Sequence, residues 1–334
     1  MNLPYSKFLA MAVAGALTAT AEVAYTPPLG VEVLTIDGGT SAAPVTTPLA
    51  LTLVDRPVAA GLQRGAITTV GATTLTVSGA GWTADALAVP AFPYDVLIID
   101  GAGAGARLQV TANTADTLTV AGRDLATLGV SDGDHFQLLP VDTLDSLFGS
   151  DTFLGGESPE AADVIALGEQ TRLSYYYNTT AGQWQLTTGA TDDAGATRLP
   201  PNGMIAVVRK ADAFTLTLAG AAPVTATNIP VADLGTTFTH TGFPLDVTLD
   251  GLALQTHLAG WASNSDVDQA DLLAVATGAS WVNYYHDGSQ WVRAPGATTN
   301  RGAVVIPAGT PIRIIKRSGV TGSTPLVLPL PYSL

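Results

Sequence analysis

The stretch Ala162-Asp163-Val164-Ile165-Ala166-Leu167 recurs later in the chain as Ala270-Asp271-Leu272-Leu273-Ala274-Val275. Both stretches place an aspartate before four apolar residues, and the second follows the first by 108 positions. A short apolar run bounded by polar residues is typical of a buried β-strand. The same strand, with the same aspartate at its start, is therefore expected twice in this chain.

Further matches follow this one in the same order along the sequence. They are Tyr176-Tyr177 with Tyr284-Tyr285, Gln183-Trp184 with Gln290-Trp291, and Val207-Val208-Arg209-Lys210 with Ile314-Ile315-Lys316-Arg317. Their separations are 108 or 107 residues, with the slips in turn regions. This order predicts a duplicated unit of about 100 residues, which is the size of a domain rather than of a solenoid repeat. We place the copies at residues 141–229 and 230–334.

Residues 61–140 contain short alternating runs separated by turn signals such as Asp100-Gly101. This spacing predicts a small antiparallel barrel or sandwich module. The run Gly101–Ala106 precedes the alternating stretch Arg107–Thr111, so it predicts a hairpin loop rather than a dinucleotide-binding turn, which leads into a helix. Residues 22–60 predict a lead-in of one or two strands. The predicted fold class is therefore all-β: a small barrel or sandwich module followed by two homologous β domains, with few short helices.

The composition excludes several classes of function. Only 13% of residues are charged, and the formal net charge is −14. Because nucleic-acid affinity depends on clustered Lys and Arg, and no basic run occurs, nucleic acid is not an expected partner. The chain has no cysteine, so disulfides, thiol catalysis and thiolate metal sites are excluded.

The amino terminus predicts export. Lys7 precedes the apolar run Phe8–Ala16, and Ala19-Thr20-Ala21 supplies the small residues that signal peptidase recognises. An apolar core of this length is too short for a membrane span of roughly 20 residues. We therefore interpret residues 1–21 as a signal peptide and expect a protein that is secreted, at the cell surface or in the periplasm, with no membrane span.

Several stretches resemble a family of uncharacterised secreted β-rich proteins that occur as paralogues in Verrucomicrobia. They are Thr76-Val77-Ser78-Gly79-Ala80-Gly81-Trp82-Thr83, Leu108–Thr111 with the following Ala112–Thr119, Tyr175-Tyr176-Tyr177, Gln183-Trp184, and Leu245-Asp246-Val247-Thr248-Leu249. The likeness spans most of the chain after the signal peptide. It implies export and an all-β build, and it brings no activity with it.

The tyrosine runs are the most unusual feature of the sequence, because each is soon followed by a tryptophan. Successive residues of a strand point to opposite faces, so one ring of each pair is expected in the core and its neighbour outside. Packing within a hairpin is one interpretation. The other is an exposed aromatic platform for sugar rings or a partner. The candidate binding residues are Tyr176, Tyr177, Trp184, Tyr284, Tyr285 and Trp291.

One acidic stretch is a candidate metal site. Asp266, Asp268 and Asp271 supply carboxylate oxygens of the kind that Ca²⁺ prefers, although the loop lacks the glycine and distal glutamate of an EF-hand. The alternative is a solvated acidic loop. No other cofactor is expected.

Three functions remain open from the sequence. The first is an exported, non-catalytic structural or adhesion protein of the surface or extracellular space, possessing two copies of one unit and able to self-associate. The second is a carbohydrate-binding protein that uses the repeated Tyr and Trp residues on a cell-surface glycan. The third is a polysaccharide hydrolase, which would need two carboxylates to converge in a cleft.

Overall fold

The structure, a computed structural model, describes residues 29–53, 63–149, 153–168, 173–317, 319 and 321–332. The predicted signal peptide lies outside the described residues, as does part of the lead-in. The described chain is nearly all β, with several antiparallel sheets and only four-residue helices, which confirms the predicted fold class. No helix in these ranges is both long and apolar enough to cross a membrane.

The elements fall into four groups along the chain. The first strands are β1 Leu29–Ile36 and β2 Val45–Leu49. The next group is β3 Arg64–Ala66, β4 Thr69–Val70, β5 Thr74–Thr76, β6 Tyr94–Ile98, β7 Arg107–Asn113, β8 Thr117–Val120 and β9 His135–Pro140. It is followed by α1 Leu144–Leu147, β10 Val164–Gly168, β11 Leu173–Asn178, β12 Gln183–Leu186, β13 Met204–Arg209 and β14 Phe214–Ala221.

The remaining elements belong to the second copy. They are β15 Thr227–Ala232, β16 Gly235–Thr239, β17 Val247–Thr248, α2 Leu249–Leu252, α3 Leu254–His257, β18 Leu272–Thr277, β19 Ser280–His286, β20 Trp291–Arg293, β21 Val305–Ile306, β22 Ile312–Lys316 and β23 Ser323–Leu328.

The duplicated sequence forms two five-stranded sheets with the same strand order. The first is β12-β11-β10-β13-β2, and the second is β20-β19-β18-β22-β16. Each copy also has a two-stranded ribbon, β1–β14 in the first and β15–β23 in the second. Strands β1 and β2, from the segment interpreted as a lead-in, thus pair with strands of the first copy. We call β1, β2 and α1 to β14 unit 1, and β15 to β23 unit 2.

Both units begin their helical turn in the same way. Thr143 caps α1 by accepting a hydrogen bond from the Ser146 amide, and Thr248 caps α2 by accepting one from the Gly251 amide. A threonine hydroxyl at this position satisfies an amide that the helix itself leaves unpaired. The equivalent caps show that the local structure, like the strand order, is repeated.

Strands β3 to β9 form a barrel-like module that lies between β2 and α1 in the chain. Its sheet order is β3-β9-β6-β7-β8-β5-β4. Because β3 and β4 are parts of one stretch, residues 64–70, both edges of this sheet meet and the module curls around one apolar core. The loop 101–106 joins the antiparallel pair β6 and β7, as expected for a hairpin.

Each unit has a core of its own that includes one tryptophan of the repeat. Trp184 packs with Ile165, Tyr175 and Val207 in unit 1, and Trp291 packs with Leu273, Tyr284 and Ile314 in unit 2. Burying a large aromatic side chain contributes a few kcal/mol, so these residues are a main source of each unit's stability.

The units contact each other reciprocally. The Ala50 amide at the end of β2 donates to the Gly309 carbonyl of unit 2 (3.1 Å), and the Thr239 hydroxyl at the end of β16 donates to the Asn202 carbonyl of unit 1 (2.7 Å). The strand order makes Ala50 and His240 equivalent, because each follows the strand at the sheet edge. The next residue of unit 2, His240, bonds to the Pro201 carbonyl.

Candidate functional site

The candidate aromatic residues lie mainly inside the protein. Trp184 and Trp291 are fully buried, and Tyr176, Tyr284 and Tyr285 are each less than one-tenth exposed. Tyr177 is half-buried and packs edge-to-face on Trp184, with the ring centroids 5.7 Å apart. The expected exposed platform is therefore not formed by these rings. Both faces of the strands that carry them are covered, so alternation does not bring one ring of each pair to the surface.

Strand pairing also corrects the match between the two tyrosine runs. Tyr175 pairs with β10 at Ile165, and Tyr284 pairs with β18 at Leu273. Tyr175 is therefore equivalent to Tyr284 and Tyr176 to Tyr285, one residue away from the match made by sequence identity.

The residues that follow support the same correction. Tyr177 is paired with Trp184, whereas His286 is paired with Trp291. Both pairs stack edge-to-face, with centroid separations of 5.7 and 5.6 Å. The histidine thus replaces the third tyrosine of unit 1.

The repeated aspartates form two equivalent buried clamps. Asp163 accepts hydrogen bonds from the amides of Leu154 (2.8 Å) and Lys210 (2.7 Å) and pairs with the Arg209 guanidinium. Each clamp ties the start of one central strand to the end of its neighbour.

The unit 2 clamp has the same donors in the same places. Asp271 accepts from the amides of Ala262 (2.8 Å) and Arg317 (2.9 Å) and pairs with Lys316 at 2.9 Å. A carboxylate buried this completely is stable only when charge and hydrogen bonds compensate for lost water.

This clamp changes the interpretation of the calcium candidate. Asp271 is fully buried in its ion pair, whereas Asp268 is exposed and contacts Arg317, and Asp266 accepts from the Asp268 amide. The three carboxylates are therefore engaged separately. Within the described ranges, no three His, Cys, Asp or Glu residues are grouped so as to hold a metal ion.

An apolar strip is exposed on the ribbon of unit 1. Leu29, Val31 and Val33 on β1 are 63%, 68% and 60% exposed, and they alternate with residues that face inward. Val31 is paired with Ala219 of β14 and Val33 with Thr217 of β14, and both of these β14 residues are exposed. We call the outward side chains of β1 and β14 the ribbon face. Its members are Leu29, Val31, Val33, Thr35, Thr215, Thr217 and Ala219, and none of them is charged.

The ribbon face is bordered by unpaired backbone. Strands β1 and β14 form a sheet of two, and neither pairs with a third strand in the described part of the chain. An edge strand offers a row of free amides and carbonyls to another strand. Proteins usually protect such edges with charged side chains or a covering segment.

The ribbon of unit 2 has its first strand covered instead. Ile229 and Val231 of β15 face the unit 2 core, and Asn228, on the other face, is only 3% exposed. The barrel-like module lies against this strand, with the Asn228 amide donating to the Gly105 carbonyl at 3.2 Å. The Thr225 hydroxyl donates to the Ile99 carbonyl of the module at 2.8 Å.

Comparison of the chain with protein-family models, with curated proteins and with solved structures finds no match. Any functional inference therefore rests on the residues and geometry of this chain.

Proposed function

We propose that this chain is an exported, non-catalytic structural or adhesion protein whose copies associate through the ribbon face. The observation that carries the proposal is the difference between the ribbons. The β15 strand is covered by the chain's own barrel-like module, whereas the outward side chains at the start of β1, which has the equivalent place in the topology, are apolar and are not covered by any described residue.

A contiguous apolar patch on a protein surface commonly marks an interaction site. The strip formed by Leu29, Val31 and Val33 has such a character, and the adjacent unpaired strand edges add backbone hydrogen bonds to the apolar contact. Strand addition of this type uses main-chain bonds for affinity and alternate side chains for specificity.

The partner that fits best is a second copy of the chain. With a net charge of −14, two copies repel each other over most of their surfaces. The ribbon face carries no charge, so two copies that meet there are in contact where their electrostatic repulsion is weakest. The threonines and the small Ala219 opposite the valines leave room for a closely packed, two-fold contact.

The carbohydrate alternative loses the feature on which it was based, whereas the hydrolase alternative keeps one pair of interacting carboxylates. The aromatic rings offered for sugar binding are buried, apart from the half-buried Tyr177. Among the described residues, Asp145 interacts with Asp193: burial first, and then the charge of Asp193, raises the pKa of Asp145. Turnover of a polysaccharide that is abolished by Asp145→Asn would favour that alternative.

Sedimentation velocity of the purified protein tests the proposal. We expect mass to rise with protein concentration, and the double variant Val31→Lys with Val33→Lys to remain monomeric with an unchanged melting temperature. Charged side chains on an exposed strand block association without touching the core. The control is Val305→Lys, because Val305 is likewise an exposed valine, at 50%, but lies on β21. A wild-type protein that stays monomeric, or a double variant that associates as strongly as wild type, contradicts the proposal.

A further inference from the structure

A cleft lies where the barrel-like module meets both units. Its volume is about 190 Å³. The module contributes Arg107 and Arg123, unit 1 contributes Arg198, and unit 2 contributes Asn228 and Phe238. Residues from three separate parts of the chain thus surround one small space.

The cleft collects positive charge in a strongly acidic protein. Asp95 is fully buried, and its Oδ2 forms ion pairs with Nε of Arg107 (2.8 Å) and Nη2 of Arg198 (2.6 Å). Asp142 is the other carboxylate that acts on Arg107. Arg123 makes no ion pair with the described residues. Three guanidinium groups against two carboxylates leave one positive charge in excess.

Burial strengthens the attraction of these arginines for an anion. It is the first cause of the lowered pKa of both Arg107 and Arg123, although each remains a cation at neutral pH. A cation that has lost part of its hydration gains more from an anionic partner than a fully hydrated one does. The electrostatic preference of the cleft is therefore for an anion.

Two buried polar atoms of the cleft residues have no hydrogen-bond partner within the described structure. They are Nε of Arg198, which is a donor, and Oδ1 of Asn228, which is an acceptor. Asn228 is only 3% exposed. Leaving such atoms unsatisfied is costly, and buried polar groups normally have a partner. A ligand that fits both must accept from an arginine and donate to an amide oxygen.

The other walls of the cleft are apolar. Phe238, Pro201 and Pro230 line it together with Ile229. The volume equals that of about six water molecules in the liquid, which is small for a drug-sized ligand. A carboxylate satisfies the guanidinium groups, a hydroxyl satisfies Asn228, and the C–H face of a sugar ring fits the apolar wall. We propose that the cleft binds a carboxylate-bearing sugar, one uronic acid residue in size.

A purely structural role explains the Asp95 ion pairs but not the side chains of Arg123 and Asn228. The Asp95 pair links the module to unit 1, and one arginine is enough to balance its charge. Arg123 contributes to no such link, and the side-chain oxygen of Asn228 bonds to nothing in the described chain, although its backbone amide bonds to Gly105. These two side chains can therefore be changed with the Asp95 pair intact.

Isothermal titration of the purified protein with glucuronate, glucose and acetate tests this site. We expect saturable binding of glucuronate, much weaker binding of glucose and acetate, and affinity that falls as salt is added. Arg123→Gln is expected to weaken glucuronate binding by about tenfold or more with an unchanged melting temperature, because it removes a charged hydrogen-bond partner. Asn228→Asp, which places a negative charge in the cleft, is expected to abolish binding.

The control is Arg293→Gln, which removes an exposed arginine outside the cleft and should leave affinity unchanged. Absence of saturable glucuronate binding overturns the proposal, and so does an Arg123→Gln variant that binds as tightly as wild type. Equal binding of acetate and glucuronate overturns the assignment to a sugar. None of these outcomes depends on self-association, since binding is measured equally well on the monomeric Val31→Lys and Val33→Lys double variant.

Discussion

The two ribbons of this protein share a topology and differ in what surrounds them. In unit 2 the first strand lies between its own core and the barrel-like module, so both faces of β15 are covered. In unit 1 the inner face of β1 is packed by Leu34 and Ile36, whereas its outer face is exposed. The two units thus have similar ribbons, and within the described part of the chain only the ribbon of unit 2 is covered by another module.

The largest loss of stability is expected from substitutions in the buried aspartate clamps, which both units contain. Asp163→Ala and Asp271→Ala should each destabilise the protein by about 3–5 kcal/mol, because each leaves a buried cation without its partner. The free energy of unfolding from urea titration measures this. Asp268→Ala is the control, since Asp268 is exposed and its surface pair with Arg317 is worth about 0–1 kcal/mol. A small loss in only one of the two clamp variants would show that the clamps are not equivalent.

A second prediction concerns the contact between the units. His240 is buried, its Nε2 bonds to the Pro201 carbonyl, and its Nδ1 accepts from the Gly242 amide. Burial lowers its pKa from 6.5 to about 4. The histidine is therefore protonated near pH 6.5 in the unfolded chain but only near pH 4 in the folded chain. Because the unfolded chain binds the proton more readily, stability is retained above pH 6.5 and is lost as the pH falls from 6.5 to about 4.

The loss from His240 should reach roughly 3 kcal/mol at pH 4. Urea titrations between pH 7 and pH 4 measure it against His240→Gln, which has no titrating group and should show a flatter profile across the window. His257→Gln, a change at a half-buried histidine outside this contact, should keep the wild-type profile. Equal pH profiles for wild type and His240→Gln would contradict the prediction.

A third prediction concerns the cover over β15. A Cβ atom at Gly105 would overlap the Ala226 carbonyl, and Gly105 has a φ of +83°. Gly122 has a similar φ of +87° and open space around it, so Gly122→Ala reports the backbone strain alone. Gly105→Ala should destabilise the protein by about 1–3 kcal/mol more than Gly122→Ala does. Equal losses would mean that the module does not press on β15.

Local patterns predicted much of this fold. The apolar runs and turn residues indicated an all-β chain, and four matches in one order indicated two homologous units. The exact pairing of the tyrosines was not accessible. A run of three tyrosines can be aligned with a run of two in more than one way, and only strand pairing with β10 and β18 fixes the register.

The features formed by distant segments could not be predicted from the sequence. Strand β1 pairs with β14 across the whole barrel-like module, and nothing local to Val31 marks that pairing. The cleft joins Asp95 to Arg198, which are 103 residues apart, and adds Arg123 and Asn228. Isolated arginines in an acidic chain give no signal until the fold brings them together. The tyrosine runs were noticed because they are adjacent, and adjacency in sequence proved to be a sign of packing.

Cross-linking through a single introduced cysteine tests the role of the ribbon face most directly. The chain has no cysteine, so Val31→Cys creates one thiol at the centre of the apolar strip. If copies meet through this face, mild oxidation should give a disulfide-linked dimer, whereas Val305→Cys, at a position on β21 that is 50% exposed, should remain monomeric at the same concentration. Equal cross-linking of the two variants, or none with Val31→Cys, would contradict association through the ribbon face.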